Sequence, residues 1–151
     1  MPTRLLLTTE LGRLARWLRL MGCDAELSPA SPVDALTCRA VNEQRVLVTR
    51  IRAIGTSCVF RVVHVTSPLL DAQLTELLAQ LPELRAQQRF SRCDRCNVPV
   101  EPITKAQVQG RVPPYVYQTQ ERFTTCSRCR RIYWPATHWQ RAQAVLNRIT
   151  A

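Results

Sequence analysis

Four cysteines in the second half of the chain form the most specific chemical pattern in the sequence. Two Cys-x-x-Cys motifs, CDRC and CSRC, supply Cys93, Cys96, Cys126 and Cys129. Each motif aims two sulfurs at one point, and four thiolates can surround Zn²⁺ tetrahedrally without leaving a position open for substrate. We therefore expect Zn²⁺ in a structural role. The spacing matches no common iron–sulfur pattern, and two motifs in one module are redundant for a redox dithiol.

The 29 residues between the motifs, from Asn97 to Thr125, exceed the length of a compact zinc finger. A ribbon with an inserted strand, loop and second strand would accommodate them. We therefore expect a small zinc-ribbon module in this part of the chain.

The charge of the chain indicates a polyanionic partner. The 151 residues carry a formal net charge of +10, and every basic residue except Lys105 is an arginine. The guanidinium group binds phosphate oxygens in pairs, so the excess favours nucleic acid, although a solvated arginine-rich surface would give the same charge. Residues 91–151 contribute +7 of the net charge and residues 1–90 only +3.

Arginines and aromatic residues alternate around the cysteine motifs, as on surfaces that bind single-stranded RNA through phosphates and stacked bases. A second stripe of arginines lies on the polar face of the first predicted helix. Some aromatic residues, such as Phe123 and Tyr133, could instead form the small core of the ribbon. The candidate RNA-binding residues are Arg13, Arg16, Arg19, Arg92, Arg95, Arg128, Arg130, Arg131, Trp134 and His138.

The elements that must position these residues alternate between strands and helices. Apolar runs predict strands over 4–8, 45–49 and 58–65, and 3.6-residue periodicity predicts helices over 10–21, 33–44, 70–81 and 139–149. Such alternation indicates an α/β fold with a parallel sheet. Near residue 88 the pattern changes to paired cysteines, prolines and short alternating segments such as YVYQT. We expect an α/β domain over 1–88 and a zinc ribbon with a final helix over 89–151.

The cellular setting is inferred from what the chain contains. It has no apolar run long enough to cross a membrane and no recognisable export signal, so we expect a cytoplasmic protein. In a reducing compartment the remaining cysteines, Cys23, Cys38 and Cys58, are expected to be small core residues. His64, within a predicted strand, is expected to be a hydrogen-bonded core histidine.

Five segments in order, LGRLARWLRLMG, RVLVTR, RFSRCDRCNVPVEPI, RVPPYVY and RIYWPATHW, resemble the Mut-seven C-terminal RNase domain family. The resemblance extends from about residue 4 to residue 140. It implies a PIN-like ribonuclease domain, a parallel sheet flanked by helices, followed by a zinc ribbon. It also implies a nuclease that holds two divalent ions on carboxylates at the strand ends.

The sequence departs from that family at the expected acids. Thr8 and Ile51 occupy two of the acidic positions, Asp34 retains a third, and Glu10 is the other carboxylate nearby. Asp34 and Glu10, the candidate catalytic residues, could hold one Mg²⁺ or Mn²⁺ ion weakly at most, so a two-ion site is disfavoured.

Three functions remain open. The first is an RNA-binding protein, within a ribonucleoprotein such as the ribosome, whose PIN-like domain has a degenerate acidic site. The second is an active metal-dependent endoribonuclease with a rearranged site that uses Glu10, Asp34 and a third acid such as Asp71. The third is a protein-interaction adaptor that acts through the zinc ribbon.

Overall fold

A computed structural model of the chain describes residues 2–55 and 60–151, without the side chains of residues 137 and 138. The first part of the chain contains β1 (Arg4–Leu7), α1 (Gly12–Leu20), β2 (Asp24–Leu27), α2 (Val33–Asn42), β3 (Val46–Thr49), β4 (Val62–His64) and α3 (Leu70–Gln80). The second part contains β5 (Glu101–Ile103), α4 (Lys105–Val108), α5 (Pro114–Thr119), β6 (Phe123–Thr125), β7 (Ile132–Tyr133) and α6 (Thr137–Thr150).

The first four strands form one parallel sheet with the order β2-β1-β3-β4. Three consecutive leucines of β1 are fully buried, because the central strand is covered on both faces. Leu5 and Leu7 face α1 and α3, whereas Leu6 faces α2. The predicted α/β fold with a parallel sheet flanked by helices is therefore confirmed.

The last helix packs against the first part of the chain, although it follows the ribbon in sequence. Leu146 of α6 is fully buried in the same core as α1 and α3, and Ile149 packs against that core. The ring of Trp139 lies 4.6 Å from the ring of Phe90. Helix α6 thus returns the chain, after the ribbon, to the core of the parallel-sheet domain. The boundary near residue 88 stays a prediction.

The second sheet is small and antiparallel, with the order β5-β6-β7. Between the two cysteine motifs the chain forms β5, two short helices and β6, and buried Val108, Val112, Val116 and Phe123 form its core. The alternating YVYQT segment lies in helix α5 and not in a strand. Its helix begins at Pro114, where the fixed φ of proline suits the first turn.

Two other expectations change or fall outside the described residues. Cys38 is exposed rather than buried, whereas Cys23 is fully buried and its burial raises the thiol pKa to about 12. Cys58 lies outside the described residues.

The imidazole Nε2 of His64 is buried without a hydrogen-bond partner among the described residues, so this histidine is not the satisfied core residue that we expected. The described helices are all too short or too polar to cross a membrane.

Candidate functional site

A cluster of polar groups lies where β1 and β3 end, and we call it the strand-end site: Thr8, Glu10, Thr49, Arg50 and Ile51. Thr8 follows β1 and is only 3% exposed, and Thr49 ends β3 and is fully buried. Their hydroxyl oxygens lie 3.0 Å apart, and Thr8 Oγ1 donates a 2.6 Å hydrogen bond to Glu10 Oε1. Because a hydroxyl carries one hydrogen, the Thr49 hydroxyl must donate to Thr8.

Glu10 supplies the carboxylate of the strand-end site. Its Oε1 also accepts a 3.2 Å hydrogen bond from the backbone N–H of Arg50. Burial raises the pKa of Glu10, but the bonds from Thr8 and Arg50 outweigh burial and hold the pKa below its ordinary value. Glu10 is therefore a carboxylate at neutral pH, with one oxygen already occupied by two donors.

The other expected acid position holds a hydrocarbon. The backbone N–H of Ile51 donates to Thr49 Oγ1 at 3.0 Å, which ties the turn after β3 to the hydroxyl pair. The Ile51 side chain is 41% exposed at the mouth of the site. It can neither bind a cation nor accept a proton.

Two residues that the sequence reasoning missed complete the same end of the sheet. Glu76 on α3 accepts hydrogen bonds from both the backbone and the hydroxyl of Thr66, beyond β4, and from the backbone N–H of Ser67. Those bonds lower the pKa of Glu76. The Arg50 guanidinium donates to the Thr66 carbonyl at 3.3 Å, and its positive charge interacts with both Glu10 and Glu76. Glu76 and Thr66 are ten residues apart in sequence, and a contact at that distance leaves no periodic pattern by which the sequence could have indicated it.

The remaining candidate acids lie apart from this cluster or are paired. Asp34 is exposed in the first turn of α2, and Asp71 forms a 2.6 Å ion pair with Arg148. Among residues 2–55 and 60–151, the sole group of three or more acids, histidines or cysteines placed to share a metal ion is the cysteine cluster. The catalytic roles of Glu10 and Asp34 stay predictions.

That cysteine cluster has the geometry of a metal centre. The sulfurs of Cys93, Cys96, Cys126 and Cys129 all lie within 4.8 Å of one another. Cys93 and Cys129 sulfurs are 3.8 Å apart, and tetrahedral Zn–S bonds of about 2.3 Å place sulfurs about 3.8 Å apart. Backbone N–H groups of Cys96 and Arg128 point at the sulfurs of Cys93 and Cys126 at 3.4 Å. The four residues could therefore hold a metal ion.

The residue after each cysteine motif adopts a left-handed conformation, Asn97 at φ 60° and Arg130 at φ 62°. Asn97 is buried and docks the ribbon on the free edge of β2. Its Oδ1 accepts from the Ala25 backbone at 2.9 Å, and its Nδ2 donates to Asp24 at 2.7 Å and to Glu26 at 2.9 Å. Asn97 thereby satisfies one backbone donor on the open edge of the sheet.

The same contact holds Asp24 ionised. Burial raises the pKa of Asp24, but hydrogen bonds from Arg45 and Asn97 outweigh it and leave the pKa below its ordinary value. The sequence offers the Asn97 side chain no local partner, because its bonds cross more than 70 residues. The docking role of Asn97 could therefore not be predicted from the sequence pattern.

Two arginines expected on an open RNA-binding stripe also hold the ribbon. Arg16 forms a 2.7 Å ion pair with Asp94. Arg19 donates to the carbonyls of Ala25, Asp94 and Arg95. Of the predicted stripe, Arg13 alone is exposed with no partner among the described residues. We therefore leave Arg19 out of the RNA-binding surface proposed below.

The other candidate RNA-binding residues lie on or beside the ribbon. Arg95, Arg128 and Arg130 are exposed, and Arg131 is half-buried. Arg92 donates to the Asn97 carbonyl at 2.6 Å. Trp134 is half-buried, with its ring 6.4 Å from that of Phe123 in an edge-on contact. The side chain of His138 lies outside the described residues.

Replacing Asn97 with glycine tests the docking contact. Glycine keeps the left-handed backbone but leaves the Ala25 N–H without its acceptor, so we expect the free energy of unfolding to fall by about 1–3 kcal/mol. Arg130→Gly is the matched control, because Arg130 has the same φ and its side chain is exposed. Denaturant unfolding measures both. Equal losses for the two variants would mean that the turn, and not the Asn97 side chain, carries the effect.

Fold and site together define an α/β protein with a parallel sheet and a four-cysteine ribbon. A family model, the Mut7-C RNAse domain, matches residues 3–146. The chain therefore belongs to the Mut7-C RNAse domain family. No curated protein and no solved structure gives a significant match.

Proposed function

We propose that this member of a ribonuclease family is an RNA-binding protein whose PIN-like domain has lost its nuclease site. The strand-end site carries this proposal. Where the family resemblance calls for a carboxylate after β1, a threonine hydroxyl bonds to Thr49 and Glu10. Where it calls for one after β3, Ile51 presents a hydrocarbon to solvent.

The electrostatics of the site support the same conclusion. Two divalent ions bring a charge of +4, which closely placed carboxylates must offset. Glu10 offers one negative charge, and the positive charge of Arg50 interacts with both Glu10 and Glu76. Both carboxylates are engaged by backbone N–H groups. Hydrogen bonds already occupy one oxygen of Glu10 and both oxygens of Glu76, an arrangement that is stable without metal ions and poorly suited to bind two of them.

The metal of the ribbon is best assigned as Zn²⁺. Four thiolates with tetrahedral spacing, each motif supplying backbone N–H groups to its sulfurs, match a closed structural zinc site. Tyr133 supports the cluster from outside, with its hydroxyl 3.0 Å from Cys93 Sγ and 2.9 Å from Asp94 Oδ1. No position is left for substrate, so the zinc stabilises the ribbon and does not react.

RNA is the partner that the family membership favours, and the charge of the ribbon agrees with it. Arg128 and Arg130 are exposed next to the second motif, and Arg131 follows them. With Arg95 they present guanidinium groups that no acid of the described residues neutralises. We infer that the protein binds single-stranded or structured RNA, with a ribonucleoprotein such as the ribosome as its setting.

Salt dependence tests the RNA-binding proposal. If five or six phosphates are contacted, the affinity for a single-stranded RNA oligonucleotide should fall with a log–log salt slope of roughly −4. Reversal of Arg128, Arg130 and Arg131 to Glu should remove most of that affinity. Fluorescence anisotropy of labelled RNA at several salt concentrations measures both effects.

The control for this experiment is an equal charge reversal elsewhere. Arg52, Arg61 and Arg85 are exposed arginines of the first part of the chain, away from the ribbon. Their triple change to Glu should weaken binding far less than the ribbon variant does. A slope near zero in the wild-type protein, or equal losses for the two variants, would contradict a specific RNA surface.

A further inference from the structure

A cavity of about 820 Å³ lies where α1, the ribbon and α6 meet. Its volume falls in the range of small-molecule and cofactor sites. Helix α1 contributes Arg13, Arg16 and Trp17, the ribbon contributes residues from Arg92 to Trp134, and α6 contributes Trp139 and Arg141. The cavity therefore exists only while the ribbon is docked on the α/β domain.

Aromatic rings dominate the apolar part of this cavity. All three tryptophans of the chain, Trp17, Trp134 and Trp139, line it, together with Phe90 and Tyr133. None of these five side chains is fully buried. Trp139 and Phe90 pack at an interplanar angle of 35° with 4.6 Å between their centroids. Partly exposed rings around one cavity offer faces to a flat aromatic ligand.

The polar part of the cavity is strongly cationic. Six arginines line it: Arg13, Arg16, Arg92, Arg122, Arg131 and Arg141. Its one acid, Asp94, is already neutralised by Arg16 at 2.7 Å. The guanidinium groups of Arg13, Arg122, Arg131 and Arg141 have no partner among the described residues, and Arg92 Nε is buried without one. Because these unpaired cations surround a concave apolar surface, the electrostatic potential inside the cavity is positive and attracts anions.

We propose that this cavity receives an unstacked base of single-stranded RNA, with its flanking phosphates on the surrounding arginines. The proposal rests on the RNA-binding function and names the place and chemical form of the bound nucleotide. Unpaired arginines select phosphate, and rings select a flat base. An acidic peptide would satisfy the arginines but would make no use of five aromatic rings. A duplex would keep its bases stacked and out of reach.

The tryptophans make the test direct, since every one of them lies in the cavity. Titration with a six-nucleotide adenosine RNA should quench intrinsic fluorescence at the same concentrations at which anisotropy of labelled RNA reports binding. A self-complementary duplex, adenosine monophosphate and inorganic phosphate are the comparison ligands. We expect the single strand to quench at concentrations at least tenfold lower than any of the three.

Arg13→Ala combined with Arg141→Ala tests the phosphate contacts at exposed positions that the fold does not need. The double variant should bind the hexanucleotide at least tenfold more weakly, and its log–log salt slope should be shallower by roughly 1.4, since each single-strand phosphate contributes about 0.7. Arg52→Ala combined with Arg61→Ala is the matched control and should bind as the wild-type protein does.

The outcomes separate this proposal from the one on which it rests. RNA binding without a change in tryptophan fluorescence, and with undiminished affinity in the Arg13 and Arg141 variant, would overturn the cavity site and leave RNA binding intact. Equal quenching by duplex would overturn the unstacked base, and equal quenching by adenosine monophosphate would make this a mononucleotide site. A wild-type protein that binds no RNA would overturn both proposals.

Discussion

Removal of the metal from the four-cysteine cluster is expected to unfold the ribbon and leave the parallel sheet folded. The ribbon buries only a small core, Val108, Val112, Val116 and Phe123, and a closed zinc site can supply on the order of 10 kcal/mol of folding free energy. The sheet has its own core, which includes Leu146 of α6. A strong chelator should therefore abolish hydrogen-exchange protection of β5 to β7 and preserve that of β1 and β3.

Cysteine variants extend the test beyond chelation. Cys126→Ser should reproduce the chelated state, because three remaining thiolates cannot close the site. Cys38→Ser is the matched control, since Cys38 is exposed on α2, outside the cluster. Elemental analysis of the purified protein should find one zinc per chain. Absence of zinc, or protection of β5 to β7 that survives chelation, would contradict the structural-metal assignment.

Loss of the ribbon should also abolish RNA binding at the cavity. The ribbon supplies Arg92, Arg122, Arg131 and Trp134 to its wall, so the site is incomplete without it. The cavity also depends on the docking contacts of Asn97 and Asp94, because these contacts fix the ribbon to β2 and α1. The metal would thus affect RNA binding without contacting the base, because it stabilises the ribbon that forms part of the cavity.

The sequence predicted the elements whose signal is local. Leucines at positions 5–7 indicated a buried central strand, because a strand covered on both faces is a continuous apolar run. The leucines of α3 indicated a helix, because a helix with one buried face repeats its apolar residues about every 3.6 positions. The cysteine spacing predicted the metal cluster, because short turns fix sulfur positions within a motif. Each of these features has a signal within a short segment, although the two cysteine motifs that meet in the cluster are 29 residues apart.

Contacts between residues that are far apart in the chain could not be predicted from local sequence patterns. Arg16 and Arg19 occupy the polar face of α1, as periodicity indicates, but their partners lie in the ribbon some 75 residues away. The YVYQT segment alternates as a strand does, yet it lies in α5, where Val116 is buried and Tyr115 is exposed. Tertiary packing overrides the period over so short a segment.

Wild-type protein is expected to show no Mg²⁺- or Mn²⁺-dependent RNA cleavage, and Thr8→Asp combined with Ile51→Asp is expected to create it. Without bound ions the attacking water keeps a pKa of about 15.7, against about 7 on a good catalytic metal. In the double variant, Asp at position 8 would lie beside Glu10, and Asp at position 51 would come from a position that is 41% exposed. Together with Glu10 they form a group of acids at the strand ends.

Metal binding by the double variant can be measured apart from catalysis. Position 8 is buried, so two carboxylates in contact repel each other and destabilise the apo protein. A divalent ion that binds the folded state removes this repulsion, and the melting temperature should rise with Mg²⁺ or Mn²⁺ concentration. Thr8→Asn with Ile51→Asn is the uncharged control and should show neither this rise nor cleavage.

The unmodified protein decides between a lost site and a rebuilt one. Glu10 is ionised at the strand ends with one oxygen not engaged by the bonds described above, and Asp34 is exposed on α2. If these acids formed a working site, wild-type protein would cleave single-stranded RNA with Mg²⁺. Glu10→Gln or Asp34→Asn would then lower the cleavage rate by about 100-fold or more, which is the contribution expected of one catalytic group. The hydrogen bonds that tie Glu10 to Thr8 and Arg50 oppose this outcome, because metal binding would have to break them.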